Sequence, residues 1–190
     1  IIFSNFIFSQ NIDFEGFMNF SYSSNLGKIH LEVNNLDKEF LYINSLSRGI
    51  GNNDLGLDRG QLGNTRIVFF TKRGNKILLI QPNTKYVSNS DNYLENRAVE
   101  EAFARSVLFS FEIIEEKNNN YIIDLTPFLI NDAHGVSQRL RFSNSGNYSL
   151  NKSMSAIELD RTKAFPKNIE FDVILTFTGN PMGNLVRSVT

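Results

Sequence analysis

Short runs of alternating or wholly apolar residues, rich in Ile, Val, Phe and Tyr and broken by Asn, Gly and Asp, set what this chain can build. That pattern is the signature of β-strands joined by tight turns, because strand side chains alternate between two faces and Asn, Asp and Gly supply the turn conformations. "TRIVFFTK" and "KILLIQPN" flank "RGN", where Gly74 can take the positive φ of a tight hairpin. "VLFSFEIIEEK" and "YIIDLTPFLI" meet at Asn118, Asn119 and Asn120, residue types that tolerate the left-handed region. "FMNFSYSS", "LGKIHLEV" and "EFLYINSL" read as three further strands, the first two joined through "SNLGK". In "NIEFDVILTFTG" the alternation of Ile169, Phe171, Val173, Leu175 and Phe177 predicts one buried face.

Helix is scarce in this pattern. "NYLENRAVEEAFARSV" places Leu94, Ala98, Ala102, Phe103 and Val107 near helical spacing, and a single turn is expected at "TPFLIND", with Thr126 as cap and Pro127 in the first helical position. The fold class that follows is mainly β: an antiparallel β-sandwich or strongly curved sheet with one or two short helices. With 190 residues, 41% of them hydrophobic and 17 of them Phe, the chain can fill one good-sized core, so one compact domain is expected.

The ends differ from the middle. "IIFSNFIFSQ" is apolar and gives way abruptly to "IDFEGF", as expected of the remnant of a secretory signal peptide cleaved near Ser9 or Gln10; an ordinary first strand is the other reading. The expected layout is a leader remnant over residues 1–10 and a single β-rich domain over 11–190. "LTFTGNPMGNLVRSVT" stops just after a strand-like run, so the chain reads as a piece truncated at its C-terminal end. No stretch approaches the ~20 apolar residues of a membrane span.

Charge and composition exclude several functions. Nineteen basic against twenty acidic residues leave a net charge of -1, without the basic footprint that phosphate backbones require, so no nucleic-acid partner is expected. Cysteine is absent, which removes disulfides, thiolate metal sites and a Cys nucleophile. The two histidines, His30 in "GKIHLEV" and His134 in "NDAHGVSQ", lack the H-E-x-x-H spacing that brings two imidazoles to one metal, and no G-x-S-x-G elbow occurs. No catalytic residue and no metal ligand is therefore assigned. Each histidine reads as a strand or hydrogen-bonded turn residue before it reads as a ligand.

One segment is too elaborate for a simple turn. "GIGNNDLGLDRGQLGNTR", Gly49 to Arg66, interleaves five glycines with polar side chains between two strand-like runs. Its spacing fits neither nucleotide-binding glycine pattern, and a strand follows where a helix would be needed. Asn52, Asn53, Asp54 and Asp58 offer hard oxygens for calcium, but the spacing is not that of an EF-hand. The simpler expectation is that Asp54 and Asp58 cap backbone amides while Arg59 or Arg66 pairs with one of them.

"EFLYINSLSRGIGNNDLGLDRGQLGNTRIVFF", "RAVEEAFARSVLFSF", "DLTPFLINDAHGVSQRL", "YSLNKSMSAIELDRTKAFPKNIEFDVILTFTG" and the terminal "VRSVT" together resemble, in order, the N-terminal domain that precedes the H-E-x-x-H catalytic domain in bacterial secreted, metzincin-like zinc-dependent metalloproteases. The resemblance implies an exported protein, secreted or periplasmic, in which this chain is non-catalytic. It would pack against the downstream catalytic domain or form a wall of its cleft, with that domain and a peptide or protein substrate as partners. Zinc is then expected in the downstream domain and no cofactor in this chain. The resemblance assigns Asn53, Asp54, Asp58, Arg59 and Gln61, with His134 on the neighbouring turn, to an interdomain or substrate-cleft contact. The competing class is a free-standing secreted β module for protein or carbohydrate, with Tyr22, Tyr42, Tyr86 or Tyr148 forming an aromatic platform.

Overall fold

The computed structural model describes residues 11–186, so the leader remnant or first strand expected over residues 1–10 lies outside the described residues. The fold is mainly β, built on a strongly curled antiparallel sheet of eight strands. In chain order its strands are β1 (Asn11–Phe14), β2 (Phe20–Ser23), β3 (Lys28–Val33), β4 (Phe40–Tyr42), β5 (Arg66–Arg73), β6 (Lys76–Gln81), β7 (Ser106–Lys117) and β8 (Asn120–Asp124). The spatial order is β1-β2-β3-β8-β7-β6-β5-β4, which leaves β1 and β4 as edges.

The hairpins form where turn chemistry demands them. Gly74 has φ 60 between β5 and β6, and Asn118 and Asn119, at φ 53 and 63, turn β7 into β8. Register shifts at Leu79/Ile80 and between Ile113 and Glu115 add twist and help the sheet curl. The inner face carries Ile29, Val68, Ile77 and Ile123, none of them measurably exposed, each contributing roughly 1.5–3 kcal/mol by burial.

Phenylalanine fills the space between these aliphatics. Phe70 and Phe111 stand 6.2 Å apart edge to face, and Phe128 meets Phe109 at 5.6 Å and Tyr42 at 5.3 Å. Phe128 belongs to α2 (Thr126–Leu129), a single turn within the stretch "YIIDLTPFLI". The strand therefore ends at Asp124. Thr126 is the first residue of the turn and Pro127 the second: the Asp124 carboxylate accepts the Thr126 N–H at 3.0 Å, while the Thr126 hydroxyl accepts the Ile29 N–H at 2.9 Å.

A second, smaller core lies beside the first. It joins Leu55 and Leu57 to Val136 and Leu140 of α3 (Val136–Phe142), to Tyr148 of β9 (Gly146–Ile157) and to Phe177 of β12 (Val173–Pro181). β9 and β12 pair antiparallel and enclose a small excursion with β10 (Lys163–Ala164) and β11 (Ile169–Glu170). The C-terminal run does not keep one buried face. Ile169 and Phe171 pack on the first core whereas Leu175 and Phe177 serve the second, because the strand breaks before Val173 and bulges between Ile174 and Thr176.

The longest helix, α1 (Tyr93–Ala102), occupies the predicted segment and is capped by Asn92. It buries no residue, and Leu94 is 68% exposed. Its expected core face is a surface instead.

Candidate functional site

The glycine-rich segment is an ordered extension of the β4–β5 hairpin. Its two arms hydrogen-bond to one another: Gly63 N–H to the Asn44 carbonyl at 2.7 Å, Leu46 N–H to Gln61 at 2.9 Å, Gly60 N–H to Leu46 at 2.7 Å and Ile50 N–H to Leu57 at 3.2 Å. Gly49 permits this closure because a Cβ there would lie 2.9 Å from the Arg59 backbone nitrogen. At the tip, the Asn52 side chain accepts the Asp54 N–H at 3.0 Å and starts a 3-10 turn over Asn53–Leu55. Leu55 and Leu57 then plunge into the second core, each 2% exposed.

These two leucines anchor the loop, and a sequence reading centred on its polar residues misses them. The alternation in "DLGLD" is the signal that could have found them. The capping expected of Asp54 and Asp58 is corrected in the same way. Asn52 does the capping, and the exposed side chains of Asn53, Asp54, Asp58 and Arg59 make no hydrogen bond or ion pair with any described residue. Arg66 does not pair with them either. It lies opposite Tyr42 in the β4–β5 ladder, where burial raises the Tyr42 hydroxyl above its ordinary value and the Arg66 charge partly offsets this.

Gln61 and His134 are brought together. His134 Nε2 lies 3.2 Å from Gln61 Oε1, and Asn44 Nδ2 lies 3.0 Å from His134 Nδ1. An amide nitrogen can only donate, so Nδ1 is the acceptor and Nε2 carries the proton that reaches Gln61. The ring is thus neutral in this arrangement. Burial holds its pKa below the ordinary 6.5, the Arg139 charge acts in the same direction, and Asp132 opposes both. Asp132 is itself engaged, its two carboxylate oxygens accepting the Val136 and Ser137 N–H groups at 2.7 and 2.9 Å as α3 begins. The turn predicted at "NDAHGVSQR" is therefore a turn only to Gly135, after which the chain is helical.

Beside His134 is a small cleft of about 190 Å³, lined also by Leu57, Gln138, Arg139 and Phe142. Arg139 forms no ion pair with a described residue, so the cleft offers a cation, an amide and an exposed ring to another surface. Along the neighbouring hairpin runs an apolar stripe. Leu41 and Ile67 face each other across β4 and β5, Leu62 bridges to Ser45, and Ile43 lies between. Their exposures are 70%, 38%, 66% and 46% for Leu41, Ile67, Leu62 and Ile43. Strand side chains alternate between faces, and Asn44 and Gln61 meet His134 on the inner side, so this stripe occupies the opposite, outer face of the hairpin and has the composition of a contact surface.

No group of three or more His, Cys, Asp or Glu side chains that could hold a metal occurs among the described residues. His30 is a half-exposed β3 residue opposite Ser21 and Asp124. The tyrosines expected as a platform do not assemble. Tyr148 is buried in the second core, Tyr42 packs on Phe128, and Tyr86 stacks on Phe103. Among the described residues no helix is long and apolar enough to cross a membrane.

Fold and site together define a β-rich domain whose accessory hairpin carries a polar junction and an exposed apolar stripe. Residues 60–190, more than half of the chain, match the family described as Domain of unknown function (DUF5117), and the chain belongs to that family. The match takes in Gln61 and the turn bearing His134. No curated protein and no solved structure matches the chain.

Proposed function

We propose that this chain is the non-catalytic N-terminal domain of an exported zinc-dependent metalloprotease, and that the hairpin stapled by Gln61 and His134 docks onto the downstream catalytic domain through its outer face. The observation that carries the reading is the exposed stripe of Leu41, Ile43, Leu62 and Ile67 on the outer face of a hairpin that the Gln61–His134 hydrogen bond holds from its inner side. An exposed apolar patch gains from being covered, and Asp54, Asp58 and Arg59 in the same hairpin are charges without partners among the described residues. In this arrangement Gln61 and His134 stiffen the surface, while Asp58 and Arg59 are free to meet charged or carbonyl groups on the catalytic domain or on a peptide in its cleft. Support also comes from the ordered series of segments that resemble such domains.

The reading frame beyond Thr190 gives the first test. An H-E-x-x-H segment is expected there, and a stop codon directly after this chain overturns the reading. With the full-length protein in hand, Leu62→Asp should lower zinc-dependent peptide hydrolysis while this domain keeps its own melting temperature. Unchanged hydrolysis removes the docking role.

A further inference from the structure

Between β6 and β7 the chain leaves the sheet and returns to it beside its point of departure. Gln81 and Ser106 pair across the ladder, so everything from Pro82 to Arg105, α1 included, hangs from one rung. The root is thin. A bulge separates the Leu79–Phe109 rung from the Ile80–Val107 rung, so only the Ile80–Val107 and Gln81–Ser106 rungs stand between the bulge and the insertion. A bulge interrupts the ladder and bends it, and hinges are built at such element ends because a few backbone angles there absorb the motion.

The insertion is braced within itself. The Asn83 side chain accepts the Lys85 and Tyr86 N–H groups at 3.1 and 3.2 Å and donates to the Tyr86 carbonyl at 2.9 Å. The Asn96 amide donates to the Ser90 carbonyl at 2.9 Å, and Arg97 pairs with Glu101 at 2.7 Å. Tyr86 stacks on Phe103 with ring centroids 4.1 Å apart, which joins the connector to the end of the helix. To the sheet the insertion is hardly tied. No residue from 82 to 105 is buried, and beyond the root rungs no hydrogen bond or ion pair joins them to a described residue outside that range. The one ring contact that crosses, among the described residues, is the Arg105 guanidinium 5.9 Å from the centroid of Phe69 on β5.

Beneath the insertion lies a cavity of about 460 Å³, bounded on the far side by Phe69 and the turn of Asp37 and Glu39. Tyr86, Val87 and Phe103 line it and are still 46%, 67% and 39% exposed. Packed interiors leave few voids larger than a water molecule, so a space of this size under uncovered apolar groups marks an element that is not packed down.

We propose that residues 82–105 form a hinged flap that swings as a unit on the Gln81–Ser106 rung and closes over this cavity. A segment with few buried contacts opens at small free energy while the cores stay folded. Closure covers Tyr86, Val87 and Phe103, and the Arg105–Phe69 contact is the latch. The inference does not depend on the protease reading.

The chain contains no cysteine, so spin labels can be placed singly without removing any native thiol. Labels at Glu95→Cys on α1 and Lys117→Cys at the end of β7 report the flap, and labels at Ser24→Cys on the β2–β3 turn and Lys117→Cys set the width of a rigid pair; all three positions are exposed. Distances measured by electron paramagnetic resonance should be distributed clearly more widely for the flap pair than for the sheet pair. Arg105→Gln should raise the ratio of open to closed distances about two- to fivefold, the worth of a cation–π contact at an exposed site. The NMR shifts of Tyr93–Ala102 should stay helical throughout. A flap distribution as narrow as that of the sheet pair, or one indifferent to Arg105→Gln, overturns the proposal. Loss of the helical shifts also overturns it, since the segment would then unfold locally and not swing as a unit.

Discussion

His134 Nε2 donates to Gln61 Oε1 across 3.2 Å, pinning the turn before α3 to the outgoing arm of the glycine-rich loop, seventy-three positions away in the chain. The same ring takes a hydrogen bond from Asn44 on the incoming arm, so one imidazole staples both arms. This arrangement needs the neutral ring, since a protonated Nδ1 cannot accept.

The junction is therefore acid-sensitive. Because burial depresses the folded-state pKa of His134, its contribution to stability is complete above the ordinary 6.5 and is lost as pH falls through the lower folded value. Melting curves recorded downward from neutral pH should show a decline below pH 6.5 that His134→Gln lacks. Parallel curves for the two proteins would show that the ring does not titrate against folding.

Loop anchoring resides in leucine and not in aspartate. Leu57→Ala opens a cavity in the second core and should cost about 2–5 kcal/mol in urea denaturation. Asp58→Ala, at an exposed carboxylate without partners among the described residues, should stay within about 0.5 kcal/mol of the parent. The reverse ranking would restore Asp58 as the residue that organises the loop.

Gly63 has its own constraint. A Cβ at this position would collide with the Asn44 side-chain amide, the group that donates to His134. Gly63→Ala should displace Asn44 and shift the His134 ring signals in an NMR spectrum. Unmoved signals would show that Asn44 yields without releasing the ring.

A second titration lies at the sheet. Burial pushes the Asp124 carboxyl up, but the hydrogen bonds from Lys28 and Thr126 outweigh it and hold the group below its ordinary 3.8. Its contribution is thus present above pH 3.8 and lost as pH falls below that. Asp124→Asn should flatten this part of the acid unfolding curve, and acid midpoints identical in the two proteins would argue against the Lys28 pairing.

What could be read in advance was local. The Gly74 and Asn118–Asn119 hairpins and the helix from Tyr93 follow from neighbours along the chain, where periodicity and turn residues carry the information. The second core does not. It gathers Leu55, Leu140, Tyr148 and Phe177 from distant segments, and no local pattern marks them as partners. The C-terminal run was legible as strand but not as two pieces, because a bulge is decided by what each half packs against. His134 and Gln61 were each singled out as polar residues, yet their contact is a product of the fold.

The strand order carries a kinetic implication. β5, β6, β7 and β8 follow one another as a meander, each pairing with its sequence neighbour, whereas β3 finds its partner β8 only after the whole intervening stretch has been laid down. Short loops close at little entropic cost and long ones at more, so the β5–β6 and β7–β8 hairpins form early and the docking of the β1–β2–β3 unit onto β8 comes late. On a ribosome, that N-terminal unit emerges first and must wait for β8. During the wait the inward faces of Phe20, Ile29 and Leu31 stand uncovered, and this interval is when the nascent chain is most exposed to aggregation or chaperone capture.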